Sequence, residues 1–158
     1  MGRRDIPEQP SLPYLIHRIA RRLESRINRA AKADGLRIEG IRILLRLLRG
    51  DHQRVGDLAE STSIEQSALS HMLRRMETDG FVTRGKVAHD DSRTVVISLA
   101  MLGRRMAKKY APMFQEFENA SLEGLSLPER RRLKEMLIGV YERVLDAEDV
   151  QLDDSVGR

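Results

Sequence analysis

Cysteine is absent from the 158 residues, which removes several kinds of chemistry at once. There can be no disulfide, no thiolate metal site and no thiol-based redox switch. Tryptophan is also missing, and aromatic residues amount to only 4% of the chain. A core of this composition must rely on Leu, Ile, Val and Met, which points to a helical protein. The four histidines, His17, His52, His71 and His89, have no metal-ligand spacing, so no metal or cofactor is expected. No apolar run approaches the roughly 20 residues of a membrane span. Residues 1–9 are polar and lack a secretory apolar core. A soluble, cytoplasmic protein with no membrane partner is the expectation. There is no phosphate-cradling glycine loop and no His-Glu metal motif. Asp90 and Asp91 are adjacent carboxylates, but they fall in a polar turn with no pocket to tune them. An enzyme is therefore not expected.

What the chain has is charge, a third of all residues, with a formal net of +4 and an isoelectric point near 9.7. That balance leans towards nucleic acid as a partner. Its distribution is uneven: residues 1–50 carry 12 Lys and Arg against 5 Asp and Glu, while residues 126–158 carry 6 against 8. Most of those early arginines suit a solvated helix face equally well, so charge alone does not locate a binding site.

Hydrophobic spacing divides the chain into helices and one hairpin. Residues 1–13 hold Pro7, Pro10 and Pro13 and read as an irregular arm. Leu12, Leu15, Ile16, Ile19, Leu23 and Ile27 then recur at helical spacing until Gly35. Ile38, Ile41, Leu44, Leu45 and Leu48 make a second helix, dense enough for burial on more than one side, and Gly50 ends it. A short helix over about 55–60 and another over about 64–79 follow. Val, Thr and Ile then dominate residues 81–87 and 93–99 around the polar cluster 88–92, the pattern of a β-hairpin. Leu102, Met106, Tyr110, Met113 and Phe117 resume helical spacing, with Pro112 expected to kink that helix. Ser126 and Glu129 form a capping box for the last helix, whose apolar face is Leu133, Met136, Leu137, Val140, Tyr141, Val144 and Leu145. The first and last helices carry more apolar surface than the central segment can cover, so a dimer interface built from both is expected. The alternative is that the two cover each other within one chain.

Residues 55–99 are the informative stretch. Leu58 and Ala59 form the core-facing pair of a short helix, Ala59 being small enough for a second helix to cross closely. After the polar turn 61–63, Ser63 and Gln66 have capping-box spacing. The following helix has two stripes. Leu69, Met72, Leu73 and Met76 are expected inside, and Gln66, Ser67, Ser70, His71 and Arg74 outside. The outer stripe is rich in hydrogen-bonding groups and free of acids, as reading base edges beside phosphates requires. Gly80 supplies a left-handed cap, with Met76 and Phe81 placed for the apolar contact that goes with it. A helical hairpin with a polar outer face would share this pattern. The hairpin adds basic groups: Arg84 and Lys86 alternate on one face of its first strand, His89 lies in the loop and Arg93 sits just past the tip. A basic β-ribbon can lie along a phosphate backbone and reach a minor groove. The order helix, turn, reader helix, glycine cap, basic hairpin is a winged helix-turn-helix pattern.

At these residues the chain resembles the MarR family, and within it the SlyA-like branch. The resemblance rests on Asp57-Leu58-Ala59, on Ile64-Glu65-Gln66-Ser67-Ala68-Leu69-Ser70, on Met76-Glu77-Thr78-Asp79-Gly80-Phe81-Val82-Thr83-Arg84, on Asp91-Ser92-Arg93 and on Leu99-Ala100-Met101-Leu102-Gly103. It implies a mainly α fold with a small β-hairpin wing: one domain over residues 14–148, with a DNA-binding lobe over about 53–99. Dimerisation helices over about 14–34 and 104–148 flank it, with an acidic tail at 149–158. It also implies a homodimer on double-stranded DNA, with Gln66, Ser67, Ser70, His71 and Arg74 as the recognition helix. Arg84, Lys86, His89, Asp91 and Arg93 form the wing, Asp91 orienting Arg93 towards the minor groove. Many such proteins are repressors released by small aromatic or phenolic acids. His17, Arg18 and Arg21 on the first helix are candidates for holding such an acid, although an exposed basic face or an intersubunit ion pair explains them equally well. Two positions depart from the family pattern. His71 stands where many relatives carry Arg, so DNA affinity is expected to rise as pH falls and His71 gains charge. Ala100 replaces the usual capping Thr after the wing, leaving Ser98 as a stand-in cap or that helix end frayed. An architectural DNA-binding protein with little sequence preference is the alternative reading.

Overall fold

The computed structural model describes residues 7–86 and 95–148. Helix α1, Leu12–Ala31, begins inside the expected arm because Ser11 accepts the Tyr14 N–H at its start, and Pro13 is tolerated in the first turn. A 3₁₀ turn, Lys32–Asp34, ends on Gly35 at φ +69°. Helix α2, Ile38–Arg49, lacks a cap from its own preceding residue, and Asn28 of α1 supplies one by accepting the Ile38 N–H at 2.7 Å. Then come β1 (Gln53–Arg54), α3 (Val55–Thr62), α4 (Gln66–Thr78), β2 (Val82–Lys86), β3 (Val95–Leu99), α5 (Met101–Ser121) and α6 (Leu127–Glu148). The chain divides into two compact units, one up to Phe117 and one from Glu118 onward. Among the described residues, no helix is long and apolar enough to cross a membrane.

In the first unit one core draws on helices α1 to α5 and strands β2 and β3. Ile38, Ile41, Ile43, Leu44 and Leu47 put α2 at its centre, buried on several sides as their density in the sequence requires. Around it lie Ile27 of α1, Leu58 of α3, Leu69 and Leu73 of α4, Ile97 of β3 and Met106 and Tyr110 of α5. The hairpin pairs as expected, Val82 opposite Leu99 through Lys86 opposite Val95. Strand β1 is an addition that two residues could not announce: it pairs with β3, giving the antiparallel order β1-β3-β2. Helix α5 is continuous across Pro112. Its buried Tyr110 donates its hydroxyl to Asp34, which Lys109 also meets at 2.5 Å. Burial and the Asp34 carboxylate push the Tyr110 phenol up to about 12. In the second unit, Glu129 accepts from both the backbone and the hydroxyl of Ser126, so the expected capping box is half made: the serine oxygen donates rather than accepts.

Two contacts join the sheet to α5. Gly103 packs so closely that a Cβ there would lie 1.9 Å from the Phe81 carbonyl oxygen, which itself accepts the Ala100 N–H at 3.1 Å. Asp51 accepts the Leu99 N–H at 2.9 Å and pairs with Arg104 at 2.7 Å. Ser98 does not replace the missing cap of α5; its hydroxyl bonds His52 Nδ1 at 2.8 Å instead. Burial opposes the charged form of Asp51, but the backbone N–H groups of Leu99 and His52, with Arg104 nearby, outweigh it and hold the carboxyl below its ordinary 3.8.

Two outcomes follow from these joints. Gly103→Ala should destabilise the fold by about 3 kcal/mol or more, because the new methyl meets backbone that cannot yield; urea unfolding measures it. For Asp51, a depressed folded pKa means stability present above the unfolded value and lost as pH falls below about 4. Asp51→Asn should therefore flatten the acid limb of stability measured by thermal unfolding between about pH 4 and 2.

Candidate nucleic-acid interface

Helices α3 and α4 are joined by a tight turn that places α4 across α3. Ser63 adopts the left-handed conformation at φ 53°, with its N–H on the Glu60 carbonyl and the Ile64 N–H on that of Ala59. This is the glycine-type C-cap geometry carried by a serine. Ser63 is thus the end of α3 and not, as its spacing from Gln66 suggested, the cap of α4. That role falls to Glu65, whose Oε1 accepts the Ser67 N–H and Oε2 the Ala68 N–H, each at 2.9 Å. The Ser67 hydroxyl donates to the same carboxylate. These hydrogen bonds hold the exposed Glu65 carboxyl down at about 2, so it stays ionised at any physiological pH.

The far end of α4 closes as the sequence requires. Gly80 takes φ +75°, its N–H reaches the Glu77 carbonyl at 3.0 Å, and the Phe81 N–H reaches that of Met76 at 2.8 Å. Met76 and Phe81 are both buried, supplying the apolar contact of the motif. Between the two caps the stripes separate, except that Met72, expected inside, is only half-buried. Leu69 and Leu73 are fully buried, whereas Gln66, Ser67, His71 and Arg74 are exposed and Ser70 is half-buried. The polar stripe is internally wired. Ser70 donates to the Gln66 carbonyl at 2.8 Å, and Arg74 Nη2 donates to His71 Nδ1 at 3.1 Å.

Arg84 of β2 is only partly exposed, and it faces the reader helix. Its Nε lies 3.0 Å from the Glu77 carboxylate but out of line for a hydrogen bond, and its Nη2 reaches the Ser70 carbonyl at 3.4 Å. The guanidinium thus ties the wing to α4. Lys86 ends β2 opposite Val95. Its side chain, and His89, Asp91 and Arg93 entirely, lie outside the described residues.

His17, Arg18 and Arg21 are exposed on the first half of α1, with Arg18 stacked on the Tyr14 ring at 5.7 Å. None of them lines the apolar cleft of about 290 Å³ bounded by Leu36, Gly40, Met72, Met76 and Phe81, which the sequence did not reveal because its walls come from two helices and a strand lead-in.

Residues 37–95 match the sequence profile of the MarR family. The HTH-type transcriptional repressor Rv2887 of Mycobacterium tuberculosis is 25% identical over 132 residues, covering 84% of this chain and 94% of that protein. A MarR-family transcriptional regulator from Silicibacter pomeroyi superposes with a TM-score of 0.73 at 25% identity, covering 90% of this chain and 91% of that one. The transcriptional regulator SlyA shares the fold, with a TM-score of 0.81 over 89% of this chain and 99% of its own at 23% identity. The S. aureus MepR–DNA complex also shares it, at 0.76 over 85% and 99%, with 20% identity. Over residues 37–95, which hold the helix-turn-helix and strand β2, the chain is thus similar to the transcriptional regulators of the MarR family.

Proposed function

We propose that the protein is a homodimeric repressor that reads a palindromic operator in double-stranded DNA. The observation that carries this is the reader helix itself: rigidly capped at both ends, buried on Leu69 and Leu73, and offering Gln66, Ser67, Ser70, His71 and Arg74 outward. Two such helices about one DNA turn apart would enter successive major grooves. Dimerisation is supported by apolar side chains left at the surface of both terminal helices. Ile19 of α1 is 57% exposed, and Ile138 and Tyr141 of α6 are 56% and 53% exposed. Repression is supported by the mycobacterial relative, which is a repressor. The SlyA-like branch is part of this reading, supported by the motif runs from Asp57 to Ala59, Ile64 to Ser70, Met76 to Arg84, Asp91 to Arg93 and Leu99 to Gly103. A small aromatic or phenolic acid held near His17, Arg18 and Arg21 would release the DNA by changing the spacing of the two lobes. Those three side chains are exposed and basic, as that role needs.

Selection of genomic fragments by the purified protein at physiological salt tests the proposal. A palindromic motif is expected; random or merely A·T-rich DNA would replace the reading with an architectural one. Within the complex, Arg93→Ala should weaken binding to all sequences and lower the salt slope by about 1 per subunit. Unchanged affinity and slope would remove the wing from the interface. Arg74→Ala should instead alter which base is preferred at one position of each half-site, at a cost of about 1–3 kcal/mol against the original base.

A further inference from the structure

A second concave surface lies within the first unit, between the later half of α1 and the middle of α5. It is a groove of about 570 Å³ lined by Arg22, Ser25, Arg26, Arg29, Met113 and Phe117. None of its lining residues belongs to the reader helix, and His17, Arg18 and Arg21 do not line it either. Two contacts tie α5 to α1 at this groove: the Tyr110 hydroxyl reaches the Ala30 carbonyl at 3.4 Å, and Arg26 meets Glu116 at 3.5 Å.

The three arginines recur at i, i+4 and i+7, which puts them on one face of α1. Like charges at these spacings repel and cost the helix stability. Only Arg26 has a counter-charge: among the described residues no carboxylate pairs with Arg22 or Arg29. Three guanidiniums against the one Glu116 carboxylate leave two positive charges uncompensated. Arg22 and Arg29 stand two turns apart, about 10 Å along the helix axis. The opposite wall is apolar, since Met113 and Phe117 of α5 are half-buried there and offer a thioether and a ring. Contacts to a nucleic-acid backbone need exposed cations but no such wall. The volume is that of a small-molecule site.

We propose that the groove between α1 and α5 binds an organic dianion, an apolar body that carries two acidic groups. Arg22 and Arg29 each take one acidic group through the forked N–H donors of the guanidinium, which match carboxylate or phosphate oxygens in pairs. The apolar body lies against Met113 and Phe117. Arg26 stays on Glu116 and adds its charge to the rim. The site is separate from the exposed His17, Arg18 and Arg21, and it does not depend on the operator-reading function proposed above.

Isothermal titration of the full-length protein at low salt tests this with naphthalene-2,6-disulfonate, whose sulfonates stand in for the two acidic groups. Naphthalene-2-sulfonate and inorganic sulfate serve as comparators. The disulfonate should saturate at one per chain and bind about tenfold more tightly than the monosulfonate, the worth of one charge-assisted contact. Sulfate, which has no apolar body, should bind more weakly than the disulfonate. Arg22→Gln and Arg29→Gln should each weaken the disulfonate about tenfold and remove its advantage over the monosulfonate. Met113→Gln should weaken both sulfonates and keep their ratio. Thermal unfolding checks each variant; the two arginines are exposed, so their variants carry the test if Met113→Gln does not fold. Disulfonate affinity unchanged in both arginine variants would put the probe on another apolar face and overturn the proposal. Equal affinities for the two sulfonates in the parent, or no saturable binding, would overturn it as well. Loss of random-duplex affinity in the arginine variants, with no disulfonate binding in the parent, would give these arginines to the DNA backbone instead.

Discussion

The backbone of Phe81 is the point through which the winged helix-turn-helix lobe is held together. Its N–H closes the reader helix on the Met76 carbonyl, and its own carbonyl accepts the N–H of Ala100 at the head of α5. The ring fills the core beside Met76. The backbone of one residue thus sets where α4 stops, where the wing begins and where α5 starts. Gly103 is the counterpart of that arrangement, because only a residue without Cβ allows α5 to approach the Phe81 carbonyl so closely. The Asp51 carboxylate secures the same joint from the other side, bonding both the end of β3 and Arg104 of α5. A few short polar contacts thus join α5 to the start of the wing and the end of the reader helix.

The charges of the lobe serve two different ends. Arg84 is spent on Glu77 and on the Ser70 carbonyl, so it braces the wing against α4. Arg74 leans on His71 and remains at the surface. The acid closest to the reader stripe, Glu65, is consumed by the first turn of its own helix. A residue type alone does not tell which of these ends it serves; the neighbours within about 3 Å do. That is why Arg84 and Arg74 look equivalent on paper and differ in three dimensions.

Much of this was legible beforehand. The 3.6-residue spacing of Leu69, Leu73 and Met76 named the buried stripe of α4, and Gly80 named its end, because only a left-handed residue lets the Phe81 N–H turn back on Met76. The density of apolar residues in α2 announced its burial on several sides. Other features were hidden for definite reasons. Ser63 has the chemistry of a helix cap, but the turn required a left-handed residue there, and the cap passed to a glutamate two positions on. Strand β1 is two residues long and exists only because β3 offers it an edge. Asn28 caps a helix ten residues away, and Ser98 finds His52 rather than the helix it precedes.

The sequence by itself determined the elements, their order and their buried faces, since these depend on periodicity and on the local conformational limits of glycine and proline. It also determined which side of α4 is polar and that the chain has no thiol chemistry. Only the tertiary structure decided which polar groups are free. Hydrogen bonds and ion pairs form between residues as far apart as Asp51 and Leu99, or Ser70 and Arg84, and nothing in local spacing encodes such distances. The hydrogen-bonding polarity of the reader helix depends on where each hydroxyl sends its one proton, and that follows from the folded neighbourhood of the side chain.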